Sequence, residues 1–454
     1  MAERFDVAVI GAGPGGFRAA KRCARKGASV ALVEKAFIGG TCLNWGCIPS
    51  KVLLSSAHAL LAARNAGQIG IEVGSVDVDW AGIQQRKEAI VAGFRKAMTA
   101  SAGANNIAFI QGQATMPAAN RISVRTGDGS TEIEADKTIL ATGSEPIELP
   151  GIRFDGQVVI SSKEALSLPE IPGSLAIIGG GVIGCELACV YAAMGTEVTI
   201  IEALERLVPM EDEWVARIIQ REFKKLGIEV LTASKVSSVD KTGGRGKVVL
   251  EDGRSVEAEK VLVAVGRRSA IDAQIVESLG LEMNGQSVAI NNRLETSVPG
   301  VYAIGDLVGT TFLAHGATAE ANVAAENATG GDRTMGDYGL IPRVIFTFPE
   351  IASVGKSERS CQSEGLEVTV GKGFFKANGR SVAQNETVGQ VRVIRDKAAN
   401  KVVGVTIVGF MATELVSLAG ALIGTDGRLD ELTYPHPTIC ETIEEAIEDA
   451  FGGA

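Results

Sequence analysis

The chain has 454 residues, a formal net charge of −10 at pH 7 and seven cysteines. A chain of this length exceeds one ordinary hydrophobic core, so we expect several domains. Nucleic acids and anionic membranes attract basic surfaces, so the acidic balance argues against both as partners.

The N-terminal residues lead directly into a predicted strand, with neither an apolar signal region nor an Arg- and Ser-rich presequence. No uninterrupted apolar run is long enough to span a bilayer. The cysteines are odd in number and scattered, unlike the framework of a secreted protein, which favours a reducing compartment. We therefore expect a cytoplasmic protein without a membrane span.

The first predicted elements form a dinucleotide-binding frame of strand, glycine turn, helix, strand and acid. Its parts are the strand Asp6–Ile10, the turn glycines Gly11, Gly13 and Gly16, the strand Ser29–Val33, and Glu34. In such a frame the first glycine makes a tight turn, the second lets the backbone approach a pyrophosphate, and the third lets helix and strand pack closely. The closing carboxylate binds a ribose hydroxyl.

A pair of cysteines follows this frame. Cys42 and Cys47 are five positions apart and precede Ser50, Lys51 and an apolar helical run. The residues after Cys47 are typical of a helix start, where the helix dipole and free amide groups favour a thiolate. Two thiols near a bound dinucleotide indicate an enzyme that moves electrons between a cofactor and a disulfide.

The middle of the chain repeats the frame. Its parts are Leu175–Ile178, Gly179, Gly181, Gly184, Glu197–Ile201 and Glu202, with the same step from the last glycine to the acid. Two complete frames favour two bound dinucleotides over glycine turns that bind nothing. A carboxylate at Glu202 repels a 2′-phosphate, which favours NAD over NADP. Arg206 lies close by in the sequence, and we interpret it as structural.

Small-residue turns also end three further predicted strands, one before the second frame and two after it, in the segments Lys137–Ser144, Lys260–Arg267 and Gly300–Asp306. A helical run then extends from His315 to Ala328. After about Gly336 the pattern changes to β-branched strands and two helical runs, which predicts a separate α+β domain. These segments are Val391–Ile394, Val402–Val408, Thr413–Leu422 and Glu441–Phe451.

Three motifs carry a family resemblance. Gly39–Lys51 reads Gly-Gly-Thr-Cys-x-Asn-x-Gly-Cys-Ile-Pro-Ser-Lys, Gly305-Asp306 ends a predicted strand, and His436-Pro-Thr is followed by Glu441. With these motifs in order over nearly the whole chain, it resembles the two-dinucleotide-binding disulfide reductases of the class I pyridine nucleotide-disulfide oxidoreductase family. Within that family it is most similar to the dihydrolipoamide dehydrogenases.

The resemblance implies an α/β protein with two Rossmann-like dinucleotide-binding domains, one for FAD and one for NAD, and a C-terminal α+β interface domain. The implied FAD-binding domain covers residues 1–146, and the NAD-binding domain covers residues 147–267. Residues 268–336 would complete the FAD domain, and residues 337–454 would form the dimerisation domain of a homodimer.

The resemblance also implies cofactor-binding residues, with Glu34 on the adenosine ribose of FAD, Asp306 on its ribityl chain and Glu202 on the ribose of NAD. The implied FAD-binding residues are Gly11, Gly13, Gly16, Glu34, Thr41, Lys51, Gly112, Thr142, Gly143, Ser144, Asp306 and Ala314. The implied NAD-binding residues are Gly179, Gly181, Gly184, Glu202, Val236 and Gly266. No metal site is expected, and Cys185 and Cys189 are interpreted as core residues because no further ligands complete a zinc set.

The implied catalytic residues begin with the two thiols. By resemblance, Cys47 faces the flavin and Cys42 is the interchange thiol that meets the substrate. Lys51 is implied to approach the flavin ring and to pair with Glu186, and a cation there would stabilise the reduced flavin.

Thiol–disulfide exchange needs a base, and the chain has three histidines. His436 is the expected base, with Glu441 orienting its imidazole as in triad chemistry; the family supplies this pair from the partner subunit. His58, in an Ala- and Leu-rich run, is interpreted as a packing residue, and His315 as either structural or flavin-adjacent. Cys440 is read as a small buried residue, with a reactive thiol near the site as the alternative.

The implied reaction is oxidation of dihydrolipoamide on a lipoyl protein, with reduction of NAD through the disulfide and FAD. The implied partners are lipoyl domains of 2-oxoacid dehydrogenase or glycine cleavage complexes. Glutathione reductase-like enzymes carry basic residues for NADP where this chain has Glu202. Mercuric reductases lack the His-Glu base, and soluble transhydrogenases lack the first cysteine. An alternative function is that of a flavoprotein that serves only for binding within a large complex. The intact thiols and base argue against this alternative.

Overall fold

The computed structural model describes residues 2–127, 129–428 and 431–452. The described residues form two compact units. The first unit is built from the ranges Met1–Val52, Gly82–Ile147 and Gly266–Tyr338. The second unit is built from Leu53–Ala81, Glu148–Val265 and Gly339–Ala454.

The described residues form strands and helices with the following bounds. The strands are β1 (Glu3–Ile10), β2 (Val30–Glu34), β3 (Ile107–Gln111), β4 (Gln113–Ala118), β5 (Arg121–Thr126), β6 (Gly129–Leu140), β7 (Ser144–Pro146), β8 (Val159–Ile160), β9 (Ser174–Ile178), β10 (Glu197–Ile201), β11 (Glu229–Leu231), β12 (Val236–Thr242), β13 (Arg245–Leu250), β14 (Ser255–Ala258), β15 (Lys260–Val263), β16 (Arg267–Ser269), β17 (Met283–Asn284), β18 (Ser287–Val288), β19 (Val301–Ala303), β20 (Arg343–Ile345), β21 (Ile351–Gly355), β22 (Val368–Phe374), β23 (Gln390–Asp396) and β24 (Lys401–Val408). The helices are α1 (Pro14–Arg25), α2 (Gly40–Trp45), α3 (Cys47–Asn65), α4 (Trp80–Ala104), α5 (Ser162–Ala165), α6 (Val182–Ala193), α7 (Glu213–Lys225), α8 (Ala273–Leu279), α9 (Ala314–Ala328), α10 (Glu358–Ser363), α11 (Gly379–Ala383), α12 (Ala412–Leu422) and α13 (Glu441–Phe451).

The first unit is organised around a parallel sheet with strand order β3-β2-β1-β6-β19. The long strand β6 uses its C-terminal half for this sheet, and its N-terminal half pairs antiparallel with β5, which in turn pairs with β4. Alternate residues of β1 enter two separate cores: Val7 and Val9 pack with α1 and α9, and Ala8 and Ile10 pack on the opposite face. Burial on both faces is characteristic of a parallel sheet.

The parallel pairing determines where the predicted FAD-site residues lie. The carboxyl ends of parallel strands meet at one edge of the sheet. Gly11 follows β1, Glu34 ends β2, Gly112 follows β3, and Asp306 lies three residues after β19. The segment Ala141–Ser144 follows β6 at the same edge. Residues from distant parts of the sequence therefore converge at a single edge.

The second unit contains another parallel sheet, with strand order β11-β10-β9-β15-β8. The antiparallel strands β12, β13 and β14 pack beside it and share a core with its strands. Gly179 follows β9 and Glu202 follows β10, so these two residues lie at the carboxyl edge of this sheet.

The C-terminal part of the second unit is an antiparallel sheet with strand order β20-β21-β24-β23-β22, covered by α12 and α13. Helix α13 lies directly on two glycines of β22. A β-carbon added at Gly371 would come within 2.0 Å of the Ala446 carbonyl oxygen, and one at Gly373 would come equally close to that of Thr442. These glycines let the helix backbone approach the sheet.

Among the described residues, the segment Gly40–Ile69 is long and apolar enough, by length and composition alone, to cross a membrane. The sequence did not predict this segment as a span, because polar and charged residues such as Lys51 and Arg64 interrupt its apolar run. Within its most apolar window 39% of the residues are buried inside the protein. A core helix of a globular protein satisfies the same criterion, so this is weak evidence for a membrane span.

Candidate functional site

The glycines of the first frame have the three distinct environments that dinucleotide binding requires. A β-carbon at Gly11 would lie 2.2 Å from the Ala141 carbonyl oxygen, and one at Gly16 would lie 1.8 Å from the Gly11 carbonyl oxygen. Gly13 differs, because its nearest neighbour, the Cα of Gly40, would be 4.0 Å away. The outer glycines therefore pack the turn against its surroundings, and the middle one leaves backbone open to a pyrophosphate.

The second frame repeats this arrangement. A β-carbon at Gly179 would lie 2.5 Å from the Ala264 carbonyl oxygen, and one at Gly184 would lie 2.1 Å from the Gly179 carbonyl oxygen. Nothing lies within 4 Å of a β-carbon on Gly181. Helix α6 begins at the next residue, so its N-terminal amides are available to a phosphate at this turn.

The acids that close the two frames are held in the same way. One carboxylate oxygen of Glu34 accepts the Ala12 N–H at 2.8 Å, and the other accepts the Ala36 N–H at 2.8 Å. Glu202 accepts the N–H groups of Gly180 and Leu204 at 2.6 and 2.8 Å. Backbone donors thus position both carboxylates, as a ribose-binding acid requires.

The edge of the first sheet carries a polar network around Asp306. Ser144 donates its hydroxyl to the Asp306 carboxylate, and the Arg267 guanidinium donates to the hydroxyl and carbonyl oxygens of Ser144, both at 2.7 Å. Burial lowers the pKa of Arg267, and the nearby Asp306 opposes that shift. Glu320, fully buried on α9, accepts the Gly305 N–H at 2.5 Å and the Thr310 hydroxyl at 2.7 Å.

Sequence reasoning did not identify Arg267 and Glu320. Arg267 follows Gly266 in a segment that repeats the small-residue pattern of Lys137–Ser144. This repeat is the sequence feature from which Arg267 could have been identified. Nothing in the local sequence distinguishes Glu320 from the other polar residues of α9. Burial raises the pKa of Glu320, and its three hydrogen bonds oppose this shift. Its role is to hold the Gly305-Asp306 turn.

The remaining FAD-site predictions lie on this unit as well. Thr41 lies in α2 and Ala314 is the first residue of α9. A β-carbon at Gly112 would collide with the Arg125 carbonyl oxygen at 2.6 Å, so this glycine is required by the packing of β5.

The fit of these residues to FAD can be tested on Thr142. Its hydroxyl oxygen is buried and has no hydrogen-bond partner among the described residues. The neighbouring Gly143 has a positive φ of 76° and open space on its Cβ side. A buried polar atom without a partner is costly, and a ligand that supplies one removes that cost. The residues at this edge therefore fit a bound dinucleotide.

The cysteine segment packs directly on the first fingerprint turn. Gly39 donates its N–H to the Ala12 carbonyl oxygen at 2.8 Å. A β-carbon at Gly40 would come within 2.7 Å of the Gly13 Cα. Both glycines also have positive φ values, 97° and 56°. The two consecutive glycines thus let the segment that carries Cys42 lie against the phosphate-binding turn.

The two cysteines are free thiols on adjacent helices. Cys42 lies within α2, and Cys47 is the first residue of α3, as the sequence predicted. The pKa of Cys42 is raised well above its ordinary value, first because its thiol donates a hydrogen bond to the Cys47 sulfur and then because of burial. The charge of Lys51 opposes this shift. Cys42 therefore keeps its proton at pH values at which an ordinary thiol would ionise.

His436 and Glu441 form a hydrogen-bonded pair in the second unit. The imidazole Nδ1 of His436 donates to one oxygen of Glu441 at 2.8 Å, and the Thr438 N–H donates to the other at 2.7 Å. These bonds lower the pKa of the Glu441 carboxyl. Asn378 fixes the loop by donating to the Thr438 carbonyl oxygen at 2.9 Å. The His436 side chain is 82% exposed, so its second ring nitrogen is accessible.

Other predicted residues have mixed environments. Glu186 is buried in α6 and accepts the Phe346 N–H at 3.0 Å, whereas Lys51 belongs to the other compact unit. Val236 begins β12 and packs partly against the core of the second unit. Gly266 adopts a φ of 125° after β15. The ring of His58 lies 5.9 Å from that of Phe348, but the residue is exposed, and its packing role stays a prediction.

Several interpretations concern residues outside the predicted site. His315 is exposed on α9, and Cys440 is half-buried next to α13. Cys185 and Cys189 are fully buried in α6, and the described residues contain no cluster of three or more metal-ligating side chains. The Arg206 guanidinium donates to the Pro209 carbonyl oxygen at 3.4 Å, and its structural role stays a prediction.

The fold and these sites define an oxidoreductase that binds two dinucleotides and carries a reactive dithiol. The chain belongs to the pyridine nucleotide-disulphide oxidoreductase family, whose model matches residues 5–324, and the family's dimerisation domain matches residues 341–447. Membership of this family implies that the cofactors are FAD and NAD.

Relatives and solved structures agree with the family assignment. The dihydrolipoyl dehydrogenase of Bacillus subtilis is 38% identical over 99% of both chains. That of Chlorobaculum tepidum is 38% identical over 99% of this chain and 98% of its own. The crystal structure of LpdA from Mycobacterium tuberculosis matches 98% of this chain and 99% of its own, with a TM-score of 0.92 and 25% identity.

Proposed function

We propose that this protein oxidises dihydrolipoamide to lipoamide and reduces NAD to NADH. Two thiols of the substrate become a disulfide, and their electron pair passes through the Cys42–Cys47 pair to the flavin and on to NAD, with release of one proton. The observation that carries this proposal is the packing of the Gly39-Gly40 backbone on the first fingerprint turn. This contact holds a dithiol segment against the turn that would bind FAD.

The two thiols have different roles in this proposal. Cys42 lies deeper, and its raised pKa keeps its proton on sulfur, which suits a thiol that exchanges only when a base assists. Cys47 is the first residue of α3, where the helix dipole favours a thiolate, and this suits the thiol that faces the flavin. FAD bound at this edge would supply an acceptor for the electron pair of the dithiol and a hydride donor for NAD.

His436 is the proposed base. Glu441 holds its Nδ1 and leaves the other ring nitrogen to take a proton from a substrate thiol or from Cys42. The exposure of this imidazole suits a residue that acts on another chain, and we propose that it serves the active site of the partner subunit in a homodimer. Lys51, with Glu186, is proposed to support the reduced flavin.

The finer organisation also belongs to this proposal. We assign residues 1–146 to FAD binding, 147–267 to NAD binding, 268–336 to completion of the FAD domain and 337–454 to dimerisation. The proposed partners are lipoyl domains of 2-oxoacid dehydrogenase or glycine cleavage complexes, and the proposed location is the cytoplasm.

The test is NADH formation from dihydrolipoamide and NAD by the purified flavoprotein, with NADP, glutathione disulfide and mercuric ion compared in parallel. We expect turnover with dihydrolipoamide and NAD, its loss in Cys42→Ser and severe slowing in His436→Gln. A flavoprotein that reduces another disulfide with NADPH, and leaves dihydrolipoamide untouched, would overturn the proposed substrate and the interpretation of Glu202.

A further inference from the structure

Arg95, on α4, contacts the cysteine-bearing segment of the first unit at two points. Its guanidinium carbon lies 4.1 Å from the centroid of the Phe37 ring, in cation–π geometry. Its Nε donates a hydrogen bond to the side-chain oxygen of Asn44, a residue of α2. One side chain from a distant part of the sequence thus holds both the turn before α2 and α2 itself.

Asn44 transmits this contact to the backbone. It is 7% exposed, and its amide nitrogen donates to the carbonyl oxygens of Gly40 at 2.8 Å, Ile38 at 3.1 Å and Phe37 at 3.5 Å. The hydrogen bond from Arg95 to the amide oxygen fixes which end of Asn44 faces these carbonyls. Without Arg95, that buried oxygen would lose this partner.

The carbonyls that Asn44 binds belong to the segment that rests on the first fingerprint turn, through the contact between Gly40 and Gly13. Cys42 lies on the same short helix, two residues before Asn44. Because α2 has only six residues, its orientation depends on such contacts rather than on its own hydrogen bonds.

We propose that Arg95 is a positioning residue for Cys42: acting through Asn44 and Phe37, it holds α2 in the orientation that the interchange thiol needs for disulfide exchange. This inference rests on the proposed function and adds a residue to it. The contacts of Arg95 are with Asn44 and Phe37, so its proposed effect on Cys42 is on the position of α2.

The test uses Arg95→Met, which keeps an apolar stem but removes the donor and the charge, and Arg95→Lys, which keeps the charge without the guanidinium fork. Lys96→Met, an exposed position on the same helix, is the matched control. Each holoenzyme is assayed for dihydrolipoamide oxidation with NAD and for NADH oxidation by ferricyanide, which takes electrons from the flavin without Cys42. The alkylation rate of Cys42 by iodoacetamide in the reduced protein is followed by peptide mass spectrometry.

We expect Arg95→Met to lower dihydrolipoamide oxidation about tenfold and to change the Cys42 alkylation rate, while ferricyanide reduction and bound FAD stay as in Lys96→Met. Arg95→Lys should not restore activity. Full rescue by lysine would mean that charge, not geometry, matters, and an equal loss of both activities would mean a general structural role; either result overturns the proposal. Unchanged Cys42 alkylation in Arg95→Met would do the same. Because alkylation does not depend on the substrate, it tests Arg95 even if the native protein proves inactive with dihydrolipoamide.

Discussion

Glu34 and Glu202 are held by equivalent hydrogen bonds in the two units: each accepts one N–H from its glycine turn and one from the residue two positions after itself. Glu34 is the last residue of β2, and Glu202 is the first residue after β10. The two frames were recognised in the sequence as repeats, and their hydrogen bonds repeat as well. The equivalence allows the two cofactor sites to be perturbed one at a time.

Glu202→Gln should weaken NAD binding and leave FAD in place. Both carboxylate oxygens of Glu202 accept backbone N–H groups, whereas a glutamine amide has one oxygen and one NH2 group. The NH2 group of the glutamine would face a backbone N–H donor, so the side chain could not keep the position of the carboxylate. We expect the KM for NAD to rise roughly ten- to hundredfold, the range for a hydrogen bond to a charged group. The measurement is initial-rate kinetics at varied NAD with FAD content checked by absorbance. Glu205→Gln, an exposed neighbour, is the control, and an unchanged KM in Glu202→Gln would refute the assignment.

Thr142→Val tests the FAD site without reference to activity. The Thr142 hydroxyl is buried without a partner among the described residues, and valine has nearly the same shape. The apoprotein should therefore unfold at the same or a higher denaturant concentration in the variant. FAD retention during dialysis should fall, because a hydrogen bond to the cofactor is lost. Unaltered FAD retention would show that this hydroxyl does not face the cofactor.

The sequence predicted the parts of this site that depend on local order along the chain. The glycine turns, their acids, the helix start at Cys47 and the His436–Glu441 pair can be recognised because short spacing determines them. Glu320 was missed because nothing in the local sequence distinguishes it from the other polar residues of α9. Arg267 and Arg95 were missed because their partners are distant in sequence: Arg267 binds Ser144, and Arg95 binds Asn44. Only the parallel sheet and the packing of α4 bring these residues to the site.

The Cys42 thiol should become more reactive when Cys47 is removed. The hydrogen bond to the Cys47 sulfur and the charge of that sulfur raise the pKa of Cys42 above its ordinary value of 9.0. In the reduced protein, Cys42 should therefore carry little thiolate at neutral pH, and its alkylation should accelerate only in strongly alkaline solution. In Cys47→Ser the pKa should fall, so that alkylation at pH 8 is faster. The rate of iodoacetamide labelling between pH 6 and 10 measures this, and slower labelling in Cys47→Ser would contradict the assignment.

Gly373→Ala should disturb the base through helix α13. The added β-carbon would lie 2.0 Å from the Thr442 carbonyl oxygen, so the first turn of α13, which contains Glu441, must move. Overpacking of this kind costs about 1–3 kcal/mol, which denaturant unfolding would detect. Dihydrolipoamide oxidation should fall more than NADH oxidation by ferricyanide. Gly379→Ala, with nothing within 4 Å of its β-carbon, is the matched control and should leave both activities unchanged.

Glu441→Gln isolates the contribution of the carboxylate to the base. The hydrogen bond from His436 and that from the Thr438 N–H lower the pKa of Glu441 below its ordinary value of 4.5, so the carboxylate stays ionised throughout the neutral range and protonates only in more acidic solution. In the wild-type protein the pair therefore persists as the pH falls, and separates only when this carboxyl takes up a proton.

Glutamine has no charge at any pH and can orient the imidazole but not stabilise its protonated form. We expect kcat for dihydrolipoamide oxidation to fall at least about tenfold, with the KM for NAD unaltered, because only the proton-transfer step has lost an interaction. Full pH–rate profiles of both proteins provide the measurement, and a kcat equal to that of wild type would mean that Glu441 does not support the base.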